Sequence, residues 1–310
     1  MKSYKNIVAA FGVAALLVGA PSLPVSLTPT SVASAAAAPG ARIQQVVPVA
    51  GGEVTVTEYG DVTLHAFRTA DPLTDEAYAL ESKDGVVLIE GAILKSDIAA
   101  WKDYVDRIGK PVVGAFLSDH PNGYDILGYP IYTTDKALAN WQPGGAIYGI
   151  SGGLVGAFGD TAASALLAPS EVAHVVKEGE TVKLAGIELR VLATDDEGFE
   201  LEIPALNAVY RHMMGSHVHS ILGSRDFIAQ EIEELEAYQE AGYTLVLTSH
   251  YIPEGREAVA TKLAYLEKAQ ELSETCKDGE SFKAAMLAAF PDYEGAKYLD
   301  MTTNALYPAN

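Results

Sequence analysis

Histidine and carboxylate side chains follow apolar, strand-like runs at two places in this chain, and these side chains bind transition metals. In the segment 118–128, SDHPNGYDILG, His120 and Asp125 come after the apolar run 112–117. His250 closes a second apolar run that begins at residue 244. A lone histidine after a strand is more often a hydrogen-bonded structural residue. A metal site therefore requires several of these side chains to meet.

A third group of histidines, His212, His217 and His219, follows the short apolar run 208–210. His217 and His219 are two residues apart, so their side chains would share a face in a strand but not in a loop or a helix. Three imidazole nitrogens and one carboxylate oxygen suit a tetrahedral Zn²⁺ ion. Two histidines and a carboxylate with open positions would also suit iron or manganese.

Nucleophilic catalysis finds little support in the sequence. Ser118, Asp119 and His120 are the residue types of a serine triad, but three adjacent side chains in a tight loop cannot take the required geometry. Cys276 is the only cysteine and lies in a polar, helical tail without an obvious partner base. Any chemistry is therefore expected to depend on the histidines.

The spacing of segment 118–128 resembles the His-x-His-x-Asp-His motif of the metallo-β-lactamase superfamily. His120 stands at its first histidine position, Asn122 at the second, Tyr124 at the aspartate position and Asp125 at the third histidine position. Only His120 keeps the residue type of the motif. The resemblance implies a metal-binding loop in which most of the ligands have been replaced.

Two later residues extend the resemblance. His212 falls where the superfamily has an aspartate that bridges two metals, and His250 falls at the late histidine that closes a strand. The resemblance therefore implies a metal site with His120, Asp125, His212 and His250 as ligands. Asn122 is counted with them as a weak neutral ligand or as a hydrogen-bond donor to a bound water.

The same comparison limits the number of ions and names the candidate catalytic residues. Tyr124 stands where the superfamily has the aspartate that binds the second metal. A phenol with a pKa near 10 cannot take over the role of that carboxylate. The sequence thus predicts one ion, zinc in first place and iron or manganese as alternatives. Asp125 is the candidate base, and Tyr124 and His219 are candidates to stabilise a developing oxyanion.

Composition restricts the class of partner. The chain has 310 residues, of which 49% are hydrophobic and 20% charged, enough for one domain with a full core. Its formal net charge of −20 repels phosphate backbones, so nucleic acid is excluded as a partner. A small-molecule substrate or ligand is expected instead, and the sequence indicates no oligomeric state.

The N-terminus predicts export. Lys2 and Lys5 precede an apolar run over residues 7–20, and Ala33-Ser34-Ala35 follows as a cleavage site. We therefore predict a signal peptide over 1–35, a flexible mature N-terminus over 36–50 and a metallo-β-lactamase-like domain over 51–310. The mature protein would be secreted or periplasmic, without a stable membrane span.

Hydrophobic periodicity predicts the elements that position these residues. Strand pairs are expected at 54–57 with 62–67, at 77–82 with 85–90 and at 182–184 with 187–192. Helices are expected at 95–108, 225–240 and over most of 256–290. The glycine-rich segment 144–160 is expected to be a pliable loop, either a lid or a simple packing connector. This order resembles the metallo-β-lactamase fold, an α/β four-layer αββα sandwich.

The leading hypothesis is a metal-dependent hydrolase of this fold that acts on a small ester, lactone or amide. The alternative is a non-catalytic ligand-binding protein, a pseudoenzyme that keeps the fold and the cleft. Replacement of the motif residues by Asn122 and Tyr124 favours this alternative. An iron-dependent oxidoreductase is a third hypothesis that fits the same ligand types.

Overall fold

The computed structural model describes residues 42–123, 127–163, 172–194 and 196–308. The predicted signal peptide lies outside these ranges. Tyr124 and Asp125 also lie outside them.

Among the described residues, eight strands form the first sheet in chain order. They are β1 (Arg42–Val49), β2 (Gly52–Tyr59), β3 (Val62–Thr69), β4 (Glu76–Glu81), β5 (Val86–Ile89), β6 (Val112–Phe116), β7 (Ile131–Thr134) and β8 (His174–Val176). Strands β1 to β5 pair antiparallel, and β5 to β8 pair parallel. The predicted pairings of β2 with β3 and of β4 with β5 are confirmed.

Strand β1 lies inside the segment 36–50 that we predicted to be flexible. It pairs with β2 from Arg42 opposite Glu58 to Val49 opposite Gly52. Because β1 is an edge strand, its hydrophobic pattern is weak, and Val46 remains 52% exposed. The sheet therefore begins at Arg42, before the predicted domain boundary at residue 51.

In the part of the chain that the structure describes, six strands form the second sheet, in the order β14, β13, β12, β11, β10, β9. They are β9 (Thr181–Leu184), β10 (Ile187–Leu192), β11 (Glu200–Ile203), β12 (Ala208–Arg211), β13 (Leu245–Thr248) and β14 (Glu254–Gly255). Only β12 and β13 pair parallel. Both of these strands therefore end at the same edge of the sheet, where histidines follow them.

Seven α-helices of at least six residues cover the outer faces of the sheets in the described ranges. They are α1 (Lys95–Ile108), α2 (Asp135–Asn140), α3 (Ala146–Phe158), α4 (Arg225–Ala241), α5 (Arg256–Thr275), α6 (Gly279–Ala289) and α7 (Tyr298–Leu306). The helix predicted at 95–108 is confirmed as α1. None of the described helices is long and apolar enough to cross a membrane.

Three large hydrophobic cores separate four layers. One core joins the first sheet to α1 and α2 and contains Trp101 and Trp141. A second lies between the two sheets and contains Phe116 and Leu189. The third joins the second sheet to α4 through α7 and contains Tyr265. The layer order is helix, sheet, sheet, helix, as the sequence predicted.

Helix α3 corrects the prediction of a pliable loop over 144–160. Its glycines at 149, 152 and 156 have no other heavy atom within 4 Å of an ideal Cβ position, so they face open space. Glycine lowers intrinsic helix stability, which is why the sequence favours a loop. The helix nevertheless forms because Leu154 and neighbouring apolar residues bury one face of it.

Candidate metal centre

Three histidines that follow strand ends meet at one point. His120 follows β6 of the first sheet, while His212 and His250 follow the parallel strands β12 and β13 of the second. One ring nitrogen from each lies within 4.8 Å of the others. Their ring centroids are 4.9 to 5.5 Å apart. The candidate metal site thus spans both sheets.

Two of these imidazoles are oriented by backbone carbonyls. His120 Nδ1 lies 2.9 Å from the carbonyl oxygen of Gly91. His250 Nδ1 lies 3.1 Å from the carbonyl oxygen of Leu73. A carbonyl only accepts, so each Nδ1 carries the proton and Nε2 keeps its lone pair. Both rings therefore present Nε2 as a metal ligand.

His212 is oriented by a carboxylate. Its Nδ1 lies 3.5 Å from Oδ1 of Asp119, and its Nε2 is buried without a hydrogen-bond partner among the described residues. Ser118 in turn donates a 2.7 Å hydrogen bond to Oδ2 of Asp119. A buried polar atom without a partner is rare in native proteins. A metal ion at the common point would satisfy it, so the donor set fits a metal.

The protonation state of two rings suits metal binding. Burial lowers the pKa of His212 and of His250 well below the usual value, and the neighbouring His120 lowers both further. Both imidazoles are thus neutral at pH 7. Neutral imidazole is the form that binds a metal.

A second buried carboxyl group, that of Asp75, lies beside His250. Its Oδ1 lies 3.5 Å from His250 Nδ1, and its Oδ2 accepts a 2.8 Å hydrogen bond from the backbone N–H of Ile93. Burial raises the pKa of Asp75 well above its usual range. Asp75 belongs to no recognisable motif, so sequence reasoning missed it.

Glu90 fixes the backbone of the loop that carries His120. Its carboxylate accepts hydrogen bonds from the backbone N–H groups of Asp119 (3.2 Å) and His120 (3.0 Å). Glu90 is fully buried, and burial raises its pKa to about 7. Its φ of 57° is unusual for a residue with a side chain. The turn after β5 is therefore held in a strained conformation beside the site.

Asn122 does not point its amide at the three histidines. Its Nδ2 donates a 2.6 Å hydrogen bond to the carbonyl oxygen of Ala163, and its Oδ1 accepts one of 3.3 Å from Ser151. The amide thus joins the loop after β6 to helix α3. His120, His212 and His250 form the converging group without it.

His219 lies outside the converging group. Its buried ring packs against Tyr265 and Tyr293, with centroid distances of 5.7 and 5.8 Å. Burial and the neighbouring Lys262 lower its pKa. The structure gives His219 an aromatic environment and does not bring it to the other histidines. The roles predicted for Tyr124 and Asp125 stay predictions, since both lie outside the described residues.

Two serine arrangements do not form a nucleophile site. Ser118 donates to Asp119 instead of lying on a histidine. Ser151, within the G-x-S-x-G sequence 149–153, lies inside α3 and donates to Asn122. A nucleophile elbow of this pattern requires a turn between a strand and a helix. Chemistry at this site would therefore depend on the histidines.

Comparison with known proteins identifies the fold. No protein-family model and no curated protein matches the chain. Solved structures do match it, among them a metallo-beta-lactamase family protein from Thermus thermophilus, with a TM-score of 0.54 and 16% identity over 87% of this chain and 92% of that one. The chain therefore has the metallo-β-lactamase fold.

A larger protein shows the same fold. The sec-alkylsulfatase of a Pseudomonas species aligns with a TM-score of 0.52 and 18% identity over 79% of this chain. A double mutant of that alkylsulfatase gives a TM-score of 0.57 and 16% identity. This chain spans about half of the alkylsulfatase, 48% of its length.

Proposed function

We propose that this protein is an exported metal-dependent hydrolase that uses one ion held by His120, His212 and His250. The observation that carries the proposal is the convergence of three imidazole nitrogens within 4.8 Å of one another. Catalytic zinc sites combine three protein ligands with one open position. Such an ion supplies Lewis acidity, which polarises a carbonyl group and makes a water molecule more acidic.

Zinc is the first candidate because the converging ligands are all nitrogens. Iron and manganese become better candidates if Asp125 contributes a carboxylate oxygen, as the sequence predicts. Within the described residues, the carbonyl oxygen of Leu73 bonds the ring of His250, and the carboxylate of Asp119 lies 3.5 Å from the ring of His212. Their role is to fix the tautomer and the direction of each ligand.

Access to the site supports a small-molecule substrate. The side chains of His212 and His250 remain 25% and 16% exposed, whereas His120 is 3% exposed as a whole residue. A substrate would therefore approach from the side of His212 and His250. We propose a small ester, lactone or amide as the substrate class.

A metal add-back assay tests the hydrolase. The purified protein would be stripped with a chelator, reloaded with Zn²⁺, Fe²⁺ or Mn²⁺, and assayed with p-nitrophenyl esters, lactones and anilides. Turnover should require metal and fall at least about a hundredfold in His212→Ala, because a ligand is lost. Asp84→Asn, a surface change beside Lys83, should leave turnover unchanged.

A metal-loaded protein that turns over no member of the panel would contradict the hydrolase. It would favour the alternative, a non-catalytic ligand-binding protein. The observation behind this alternative is Asn122, whose amide is held by Ala163 and Ser151. Thermal stabilisation by metabolites but never by metal would support it.

A further inference from the structure

Helix α3 lies beside the metal site and carries an apolar stripe. Ile150, Leu154 and Phe158 are spaced four residues apart, so they share one face of the helix. This stripe packs with Leu73 and Ile93 in a small hydrophobic cluster separate from the three large cores. Leu154 and Ile93 are buried, whereas the other members are half-buried. Apolar surface of Leu73, Ile150 and Phe158 thus remains open.

The cluster adjoins the groups that lie against Nδ1 of His250. The carbonyl oxygen of Leu73 lies 3.1 Å from His250 Nδ1. The backbone N–H of Ile93 donates to Asp75, whose other oxygen lies 3.5 Å from the same imidazole nitrogen. One member of the cluster, Leu73, therefore accepts a hydrogen bond from a candidate ligand, and a second, Ile93, donates one to the carboxyl group beside that ligand.

A second connection reaches the loop that carries His120. Ser151 of α3 donates to Asn122, and the backbone N–H of Ala163 donates a 2.9 Å hydrogen bond to the carbonyl oxygen of Ile93. Helix α3 is thus tied to the loop after β6, and the segment that follows it is tied to the turn after β5. The apolar stripe is held in a fixed place beside the histidines.

The charge of this region differs from that of the rest of the protein. Residues 137–159 contain no Asp, Glu, Lys or Arg, although 20% of the chain is charged. Met213, which directly follows His212, is 38% exposed. A substrate group that lies along α3 would therefore meet apolar surface and no charge from this segment.

We propose that Leu73, Ile150 and Phe158 form a subsite for the alkyl or acyl chain of the substrate. The substrate class is then an ester or amide with an unbranched apolar chain of several carbons. This inference rests on the proposed hydrolase. Each methylene that enters such a subsite should raise affinity about three- to fourfold, because apolar surface leaves water.

Two chain-length series test the subsite. The first is kcat/KM of the zinc-loaded protein for p-nitrophenyl esters from acetate to octanoate. The second is the calorimetric affinity of the same protein for sodium alkanoates from acetate to octanoate. Both should rise by about three- to fourfold per methylene before reaching a plateau.

The variant Ile150→Ala/Phe158→Ala should flatten both series while zinc content, measured by elemental analysis, stays unchanged. Tyr148→Ala is the matched control, because Tyr148 lies on the same helix but is 45% exposed and outside the cluster. It should leave both slopes unchanged. Thermal unfolding of each variant would verify that α3 still folds.

The possible outcomes distinguish failure of the subsite proposal from failure of the hydrolase proposal. Alkanoate affinity that rises with chain length, without turnover of any ester, would contradict the hydrolase and support the subsite. Turnover with a flat chain-length series would overturn the subsite and support the hydrolase. Equal slopes in the double variant and the wild type would overturn the assignment of Ile150 and Phe158.

Discussion

At the scale of single residues, the site depends on which group lies against Nδ1 of each imidazole. Nδ1 of His120 and of His250 donates to a carbonyl oxygen, and Nδ1 of His212 lies 3.5 Å from Oδ1 of Asp119. The proton on Nδ1 leaves Nε2 free in each ring. A carboxylate at this position also raises the basicity of the ligand.

Replacement of Asp119 tests this arrangement. We expect Asp119→Asn to weaken zinc binding about 10- to 100-fold, because the negative charge that supports His212 is removed. Competition with a fluorescent chelator would measure the affinity. The control is Asp84→Asn, which changes an exposed aspartate paired with Lys83. Equal zinc affinity in Asp119→Asn and the wild type would contradict the role of Asp119.

A titration prediction concerns Glu200, which is buried near Arg211. Burial raises the pKa of Glu200 to about 8, against 4.5 as its ordinary value, although Arg211 opposes the shift. The folded state therefore binds the proton more tightly than the unfolded state. This contribution to stability is fully present below pH 4.5 and is lost as the pH rises through 8.

Glu200→Gln should remove this pH dependence. At about 1.4 kcal/mol per pKa unit, the wild type should lose up to about 4 kcal/mol relative to Glu200→Gln between pH 4.5 and 8. Urea unfolding at a series of pH values would measure the difference in unfolding free energy. A constant difference across this range would show that Glu200 does not titrate as described.

At the scale of elements, the turn after β5 and helix α3 hold the site from two sides. Glu90 closes the turn by accepting two backbone N–H groups of the loop that carries His120. Helix α3 contacts the same loop through Ser151 and Asn122. The position of His120 therefore depends on elements distant from it in sequence.

Loss of the Glu90 carboxylate should destabilise the folded protein. We expect Glu90→Ala to lower the unfolding free energy by about 2 kcal/mol or more, since two buried N–H groups lose their acceptor. Zinc affinity should fall as well, because the backbone of His120 is released. Glu90→Gln, which keeps an acceptor oxygen, should be less harmful on both measures. If the alanine variant matches the wild type in chemical denaturation, Glu90 does not hold the loop.

The glycines of α3 give an opposite prediction. Gly149→Ala, Gly152→Ala and Gly156→Ala should each raise the unfolding free energy by about 0.5–1 kcal/mol, because an ideal Cβ meets no other atom there. Gly159→Ala should lower it, since its φ of 58° disfavours a side chain. Thermal unfolding would compare the four variants. Destabilisation by the first three would mean that this face of α3 is covered.

At the scale of the whole molecule, the sandwich was predictable because some strands alternate between buried and exposed residues, while others are short apolar runs that are buried throughout. The pairing of β9 with β10 leaves Ile187 and Leu189 buried and Glu188 exposed, the period that the sequence shows. Helix α3 was not predictable, because glycines obscure its apolar stripe. Strand β1 was missed because an edge strand buries little.

The site was predictable only in part. The resemblance named His120, His212 and His250, which follow strands of both sheets and meet only when the sandwich closes. The supporting groups Asp75 and Glu90 carry no sequence signal, because their partners are backbone groups and side chains distant in sequence. Tertiary packing alone brings them to the histidines.

The central claim is that three histidines from two sheets bind one metal ion. Elemental analysis of the protein purified without chelator tests it most directly, in the wild type and in His120→Ala/His250→Ala. We predict about one zinc ion per chain in the wild type and none in the variant, because one remaining histidine cannot hold the ion. Absence of a stoichiometric transition metal from the wild type, or the same metal content in the variant, would contradict the claim.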